Sequence, residues 1–166
     1  MIMVKGIKLI LKESTTFDLF FHDGTVKRYD ILSLSNKFPQ LNELKNRSLF
    51  LKGHLMGFGG VVWNDELDVS SETVYEEGID VTNEYDDSDI LNIIIGYQIK
   101  EKRLQKEMSQ EELAKKSGID QSDLSKMERG TLNPSVKMLK KIAKGLGLKL
   151  KLSFEWYLRK KNKNIN

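Results

Sequence analysis

The sequence contains no cysteine. Disulfides, thiolate nucleophiles, iron–sulfur clusters and every cysteine-containing zinc site are therefore excluded. Histidine occurs only at positions 22 and 54, too sparse for a histidine-rich metal site, and no metal or cofactor is expected. No glycine-rich phosphate loop and no Gly-x-Ser-x-Gly elbow is present. Carboxylate pairs such as Asp65 and Asp68 arise freely in turns, so no enzyme activity is expected; only a pocket gathering Asp65, Asp68 and His54 would revive one. Long hydrophobic runs are also missing. The most apolar stretches, 57–63 and 90–97, fall far short of the ~18 residues that span a bilayer. The first residues, MIMVKGIKLILKES, are broken by Lys5 and Lys8 and lack a small-residue cleavage site. The chain is expected to be cytoplasmic, with no membrane partner.

The 166 residues allow one large or two small domains, and an apolar share of 39% supplies a core for either. A net charge of +3 conceals a partition. Residues 1–90 carry nine basic and sixteen acidic side chains, a balance of −7; residues 91–166 carry eighteen and eight, a balance of +10. The basic half is the candidate for a polyanionic partner.

The first third reads as β-structure. TFDLFF (16–21) and TVKRYDI (25–31) flank His22-Asp23-Gly24, and Asp-Gly between two strand-like runs predicts a tight hairpin. A strand is also expected at 7–11, a short helix at 39–46, two short strands at 54–58 and 60–63, and a turn at 64–66. SETVYEE (71–77) fits a short helix opened by a serine cap. GIDVTNEYDDSD (78–89) is acidic and poor in periodic apolar positions, so it reads as a linker or a solvated loop.

From Ser88 the period becomes helical, with Ile90, Leu91, Ile94, Ile95, Ile99 and Leu104 recurring at three- and four-residue steps. Ser109 with Glu112 forms a capping-box pattern, and Gly118 ends the helix it opens. Asp120 can cap the next helix, Asp123 suits the positive end of its dipole, and Arg129-Gly130 stops it. Ser135 opens a third helix, expected to close at Gly145. Two short helices thus meet across a tight turn, with Ala114 at their approach and Leu113, Ile119, Leu124 and Met127 locking the pair.

This string, SQEELAKKSGIDQSDLSKMERGTLNPS over 109–135, resembles the lambda-repressor-like helix-turn-helix family, also called the xenobiotic-response-element family. Glu107 departs from the pattern, since members usually carry glycine there. The resemblance implies that the second helix enters the major groove of double-stranded DNA. It places Gln121, Ser122, Ser125 and Lys126 where members read bases, and Gln110 where members hold a phosphate. The chemistry agrees: glutamine pairs with adenine, lysine reaches guanine acceptors, and serine is permissive. Arg129, Thr131, Asn133 and the Ser135 helix start are expected at backbone phosphates. Lys115, Lys116, Lys140, Lys141 and Lys144 read as a solvated face.

Leu148, Leu150, Leu152 and Phe154 alternate with polar residues, a half-buried strand by period. Some antitoxin-type members of the family add such a strand, paired across a two-fold dimer; pairing within the chain is the alternative. A homodimer is expected. The N-terminal pieces FDLFFHDGTVKRYDI, LFLKGHL and GGVVWNDELDVSSETVYEEG resemble an uncharacterised small bacterial domain family, found alone or fused to helix-turn-helix modules. Trp63, Asp68 and Tyr75 are candidates for a partner or ligand surface, although core and turn roles suit them better.

The expected class is α+β. A small α+β domain with a β-hairpin (1–80) precedes an acidic linker (81–89), an all-α lambda-repressor-like helix-turn-helix domain (90–147), and a C-terminal β-strand with a basic tail (148–166). The expected function is that of a sequence-specific DNA-binding transcriptional regulator with an N-terminal interaction or sensing domain. The alternative is an antitoxin-like protein that holds a partner protein through that domain and autoregulates.

Overall fold

A computed structural model describes residues 4–9, 14–56 and 59–152. Strands β1 (Val4–Leu9), β2 (Thr16–Phe21) and β3 (Val26–Asp30) form an antiparallel meander. The β2–β3 hairpin turns where the Asp-Gly pair predicted it. Gly24 takes φ 84°, and the Thr25 amide donates to Asp23 Oδ1 at 2.9 Å.

The unbroken burial of β2 from Phe17 to Phe21 has a physical reason: both of its faces are covered. Phe17, Leu19 and Phe21 point one way, into a core with Tyr29, Trp63, Val69 and Val74. Asp18 and Phe20 point the other way, Phe20 joining Val26, Val81, Ile90 and Ile93. Phe17 and Phe20 are fully buried, worth about 1.5–3 kcal/mol each against exposure.

Residues 39–46, expected as a short helix, form a 3-10 turn over Pro39–Lys45. Asn46 then caps a single helical turn, α1 (Arg47–Phe50), accepting from the Ser48 and Leu49 amides. A second sheet follows, of β4 (His54–Leu55), β5 (Gly60–Asn64) and β6 (Leu67–Ser70). Helix α2 (Ser71–Glu77) starts from Ser70, whose side chain accepts the Thr73 amide. Trp63 and Tyr75 are structural: the buried Trp63 indole donates to the Phe50 carbonyl at 2.8 Å, and Tyr75 packs on Phe21 and donates to Asp23 at 2.7 Å. Asp68 lies exposed in β6.

The acidic stretch after α2 is not a solvated tether. Strand β7 (Ile79–Asp80) adds to β3, Val81 is buried, and Tyr85 packs edge-on against Phe20 at 5.2 Å. The Tyr85 hydroxyl donates to Asp18 at 2.6 Å, and Arg28 clamps the same carboxylate through Nε and Nη2, each at 2.9 Å. Asp18, fully buried, is thereby satisfied from two elements, as a buried charge must be. The ion pair raises the Arg28 pKa, and burial and then the Asp18 carboxylate push the Tyr85 phenol upward.

Helix α3 (Asp87–Gln105) opens at Asp86, which accepts the Asp89 amide; Ser88, the expected cap, lies inside the first turn. The helix serves two cores. Ile90 and Ile93 lie on the sheet, and Ile99 and Arg103 lie in the following helical module. Leu91 and Leu104, expected on the packed face, are 55% and 50% exposed. The module continues through α4 (Gln110–Ser117), α5 (Gln121–Glu128) and α6 (Val136–Gly145). Among the described residues, 148–152 form no strand and pair with none; the rest of the expected 148–154 strand lies outside the described residues. Among the described residues no helix is long and apolar enough to cross a membrane.

Candidate nucleic-acid interface

The ends of the four helices α3 to α6 share one geometry. In each, a residue with left-handed φ closes a pair of reverse hydrogen bonds onto the last turn. Gly118, Gly130 and Gly147 do this at φ 60°, 70° and 69°. At the end of α3 the position is Glu107, at φ 54°, with its amide on Leu104 and the Met108 amide on Arg103. The departure from glycine therefore leaves the loop shape intact and puts a side chain where L-residues are disfavoured. The third module helix runs through Gly145, and Gly147 is the residue that turns it.

The capping box is complete. Ser109 Oγ accepts the Glu112 amide at 3.1 Å, and the Ser109 amide donates to Glu112 Oε2 at 2.7 Å, which holds the Glu112 carboxyl below its ordinary range. Ser135 caps α6 in the expected way, accepting the Met138 amide at 3.2 Å. Asp120 stands at the start of α5, but its side chain makes no capping bond. Leu113, Ala114, Leu124 and Met127 are buried between α4 and α5, and Ile142 of α6 and Leu146 just after it complete the cluster. The approach of α3 to α5 is equally close. A Cβ at Gly96 would run into the Met127 carbonyl, and one at Gly130 would lie 2.8 Å from the Ile93 Cα.

On this frame the polar side chains of the second helix face outward. Gln121 and Ser122 are exposed in its first turn, and Lys126 is exposed one turn on. Gln121 is held from behind: its Nε2 donates to Gln110 Oε1 at 3.0 Å. Gln110 Nε2 in turn donates to Glu128 Oε2 at 2.8 Å. Glu128, its side chain 3% exposed, takes a two-point grip from Arg103 through Nε at 2.6 Å and Nη2 at 2.8 Å. Arg103 Nη1 donates to the Met108 carbonyl at 2.8 Å, and the ion pair raises the Arg103 pKa. A relay of four residues thus runs from the end of α3 to the exposed amide of Gln121. Arg103 and Glu128 carry no signal in the sequence: they stand 25 residues apart.

The remaining expected contacts are less uniformly free. Ser125 is half-buried and accepts from Arg129 Nη1 at 2.7 Å, so these two are joined to each other. Lys126 lies 3.7 Å from Asp123, an exposed pair worth about 0–1 kcal/mol and easily exchanged. Thr131 bonds back to the Lys126 carbonyl at 3.1 Å, and Asn133 is exposed. Lys141, read as a solvated side chain, donates to the Gly118 carbonyl at 3.1 Å. In the N-terminal region, Asp65, Asp68 and His54 lie in the second sheet and its turn, all exposed.

The helix-turn-helix family model matches residues 99–152. This segment is a helix-turn-helix module. Over 59 residues, 36% of the chain, the sequence is 39% identical to an uncharacterised HTH-type transcriptional regulator, y4dL, of Sinorhizobium fredii (strain NBRC 101917 / NGR234); the match spans only 30% of that relative's length. Among solved structures, the restriction-modification controller protein C.Esp1396I is 42% identical over 32% of this chain and 68% of its own, with a TM-score of 0.32. One of its structures is a tetramer in complex with its natural 35 base-pair operator. The putative DNA binding protein NE0471 of Nitrosomonas europaea ATCC 19718 aligns over 86% of this chain and 84% of its own, at 13% identity and a TM-score of 0.41.

Proposed function

We propose that the chain is a sequence-specific DNA-binding transcriptional regulator, with α5 lying in the major groove. The observation that carries this reading is the relay behind Gln121. A glutamine fixed through its amide Nε2 presents its exposed end in a defined orientation, which bidentate reading of an adenine edge requires. Ser122 and Lys126, exposed on the same helix, would read neighbouring bases, and Gln110, Arg129, Thr131, Asn133 and Ser135 would meet backbone phosphates. The surplus of positive charge in residues 91–166 supplies the non-specific attraction. The family match and the likeness to an HTH-type regulator support the same reading.

The protein acts as a homodimer in this reading. Leu148 and Leu152 are 43% and 60% exposed where the chain leaves α6, apolar side chains that a second copy would cover. Dimerisation would set two recognition helices about 34 Å apart, one turn of DNA. The N-terminal sheets serve as an interaction or sensing domain, joined to the module through α3. Selection of duplexes from a random library at two salt concentrations tests the proposal. Enrichment of a palindromic site with steep salt dependence is expected; no enrichment at either salt would refute sequence-specific binding.

A further inference from the structure

A cavity of about 430 Å³ opens where the first sheet meets the helix-turn-helix module, within the ~300–1,000 Å³ usual for small-molecule sites. Its walls are the aliphatic side chains of Ile7, Leu51 and Ile93 and the rings of Tyr85 and Tyr97. Tyr97 is fixed by accepting the Leu55 amide at 2.8 Å, and Tyr85 by its bond to Asp18. Two further charged groups at the cavity are already committed: Arg28 to Asp18 and Glu84, Glu128 to Arg103. Three cations are not. Lys8 lies over the Tyr85 ring at 5.3 Å, Arg129 donates to the neutral Ser125, and Lys100 is exposed; among the described residues none of the three ion-pairs with a carboxylate.

We propose that this cavity binds a small aromatic monocarboxylate, its ring between Tyr85 and Tyr97 and its carboxylate among Lys8, Lys100 and Arg129. Apolar walls under a cationic rim suit a ligand with one anionic end and an apolar body, whereas a phosphate or sugar phosphate would leave the walls unfilled. Occupancy also reaches the DNA. Arg129 and Thr131 line the cavity from the turn that follows the recognition helix, so a carboxylate that draws Arg129 inward removes one phosphate contact. By linkage, DNA must weaken the carboxylate by the same factor. This coupling rests on the regulator reading above; the binding site itself does not.

The test uses the full chain without DNA. Anilinonaphthalene sulfonate, an aromatic anion that brightens in apolar surroundings, is titrated by fluorescence and displaced with phenylacetate or with neutral 2-phenylethanol. Saturable binding is expected, with phenylacetate displacing at least tenfold more effectively than the alcohol. Leu51→Trp, which fills the cavity from a 39% exposed position, should weaken both ligands tenfold or more. The Lys8→Glu, Lys100→Glu double variant, altering exposed side chains only, should do so for the anions alone. Probe binding indifferent to both variants, or equal displacement by acid and alcohol, overturns the site. Coupling is then read on a non-specific duplex: saturating phenylacetate should lower the slope of log affinity against log salt by about one contact. An unchanged slope overturns the coupling. Absence of any DNA binding by the free protein refutes the regulator reading instead, and leaves the titration to decide the site.

Discussion

Removing Glu128 is the sharpest perturbation the helix-turn-helix module offers. Its carboxylate is 3% exposed and takes two bonds from Arg103, itself 8% exposed, and one from Gln110. Glu128→Ala leaves the guanidinium buried with only the Met108 carbonyl as acceptor. An unpaired buried charge of this kind costs about 3–5 kcal/mol, a large share of the ~5–15 kcal/mol that holds a domain together. Urea unfolding followed by circular dichroism should show that loss as a lower midpoint. The compensated double variant, Arg103→Met with Glu128→Leu, removes both charges and should recover most of the stability. It should not recover specificity. Gln110 then lacks the acceptor that orients it, and Gln121 loses its fixed partner. Stability and base discrimination are thus predicted to separate in one pair of variants. A Glu128→Ala protein within ~1 kcal/mol of the parent would show that Arg103 finds water or another acceptor at no cost, and that the buried pair does not hold the module.

Other expectations are as direct. Glu107→Gly should stabilise the chain by up to about 1 kcal/mol in urea unfolding, since it relieves a left-handed side chain at the end of α3 at some cost in chain entropy. Gly96→Ala should lower the thermal midpoint, costing at least the ~1–3 kcal/mol typical of overpacking, because the added methyl meets the Met127 backbone carbonyl. Tyr85 carries a raised pKa, so the folded state keeps its proton longer than the unfolded chain does. The associated stability is complete below the unfolded phenol pKa of about 10 and is lost as pH rises beyond it. The parent should therefore lose more stability than Tyr85→Phe between about pH 10 and pH 12 in urea titrations; equal losses would contradict the Asp18 bond. Replacing Gln121 and Lys126 by alanine should weaken binding to a selected site by about 1–3 kcal/mol for each base interaction removed, read by fluorescence anisotropy.

Local signals were the legible ones. The Asp-Gly hairpin, the Ser109 capping box, and the stops at Gly118 and Gly130 each depend on a few neighbouring residues, and each stands where the pattern put it. The acidity of 78–89 misled in a physical way. Charged residues dominate its composition, yet Val81 and Tyr85 fasten it, and Tyr85 does so through Phe20 and Asp18, the latter 67 positions earlier. Helix α3 misled for a related reason. Serving two cores, it has no single apolar stripe, so Ile93 is buried while Leu91 and Leu104 are not. The outward face of α5 was legible from its motif, but the relay from Arg103 to Gln121 joins α3, α4 and α5 and exists only once they have packed.

Sequence-specific recognition through α5 is read most simply as a ratio of affinities. Anisotropy titrations at one physiological salt concentration should compare the selected duplex with a scrambled duplex of equal length. The selected site should bind tighter by at least ~10³, a preference that falls when Gln121 becomes alanine. Equal affinity for the two duplexes would rule out base recognition by α5.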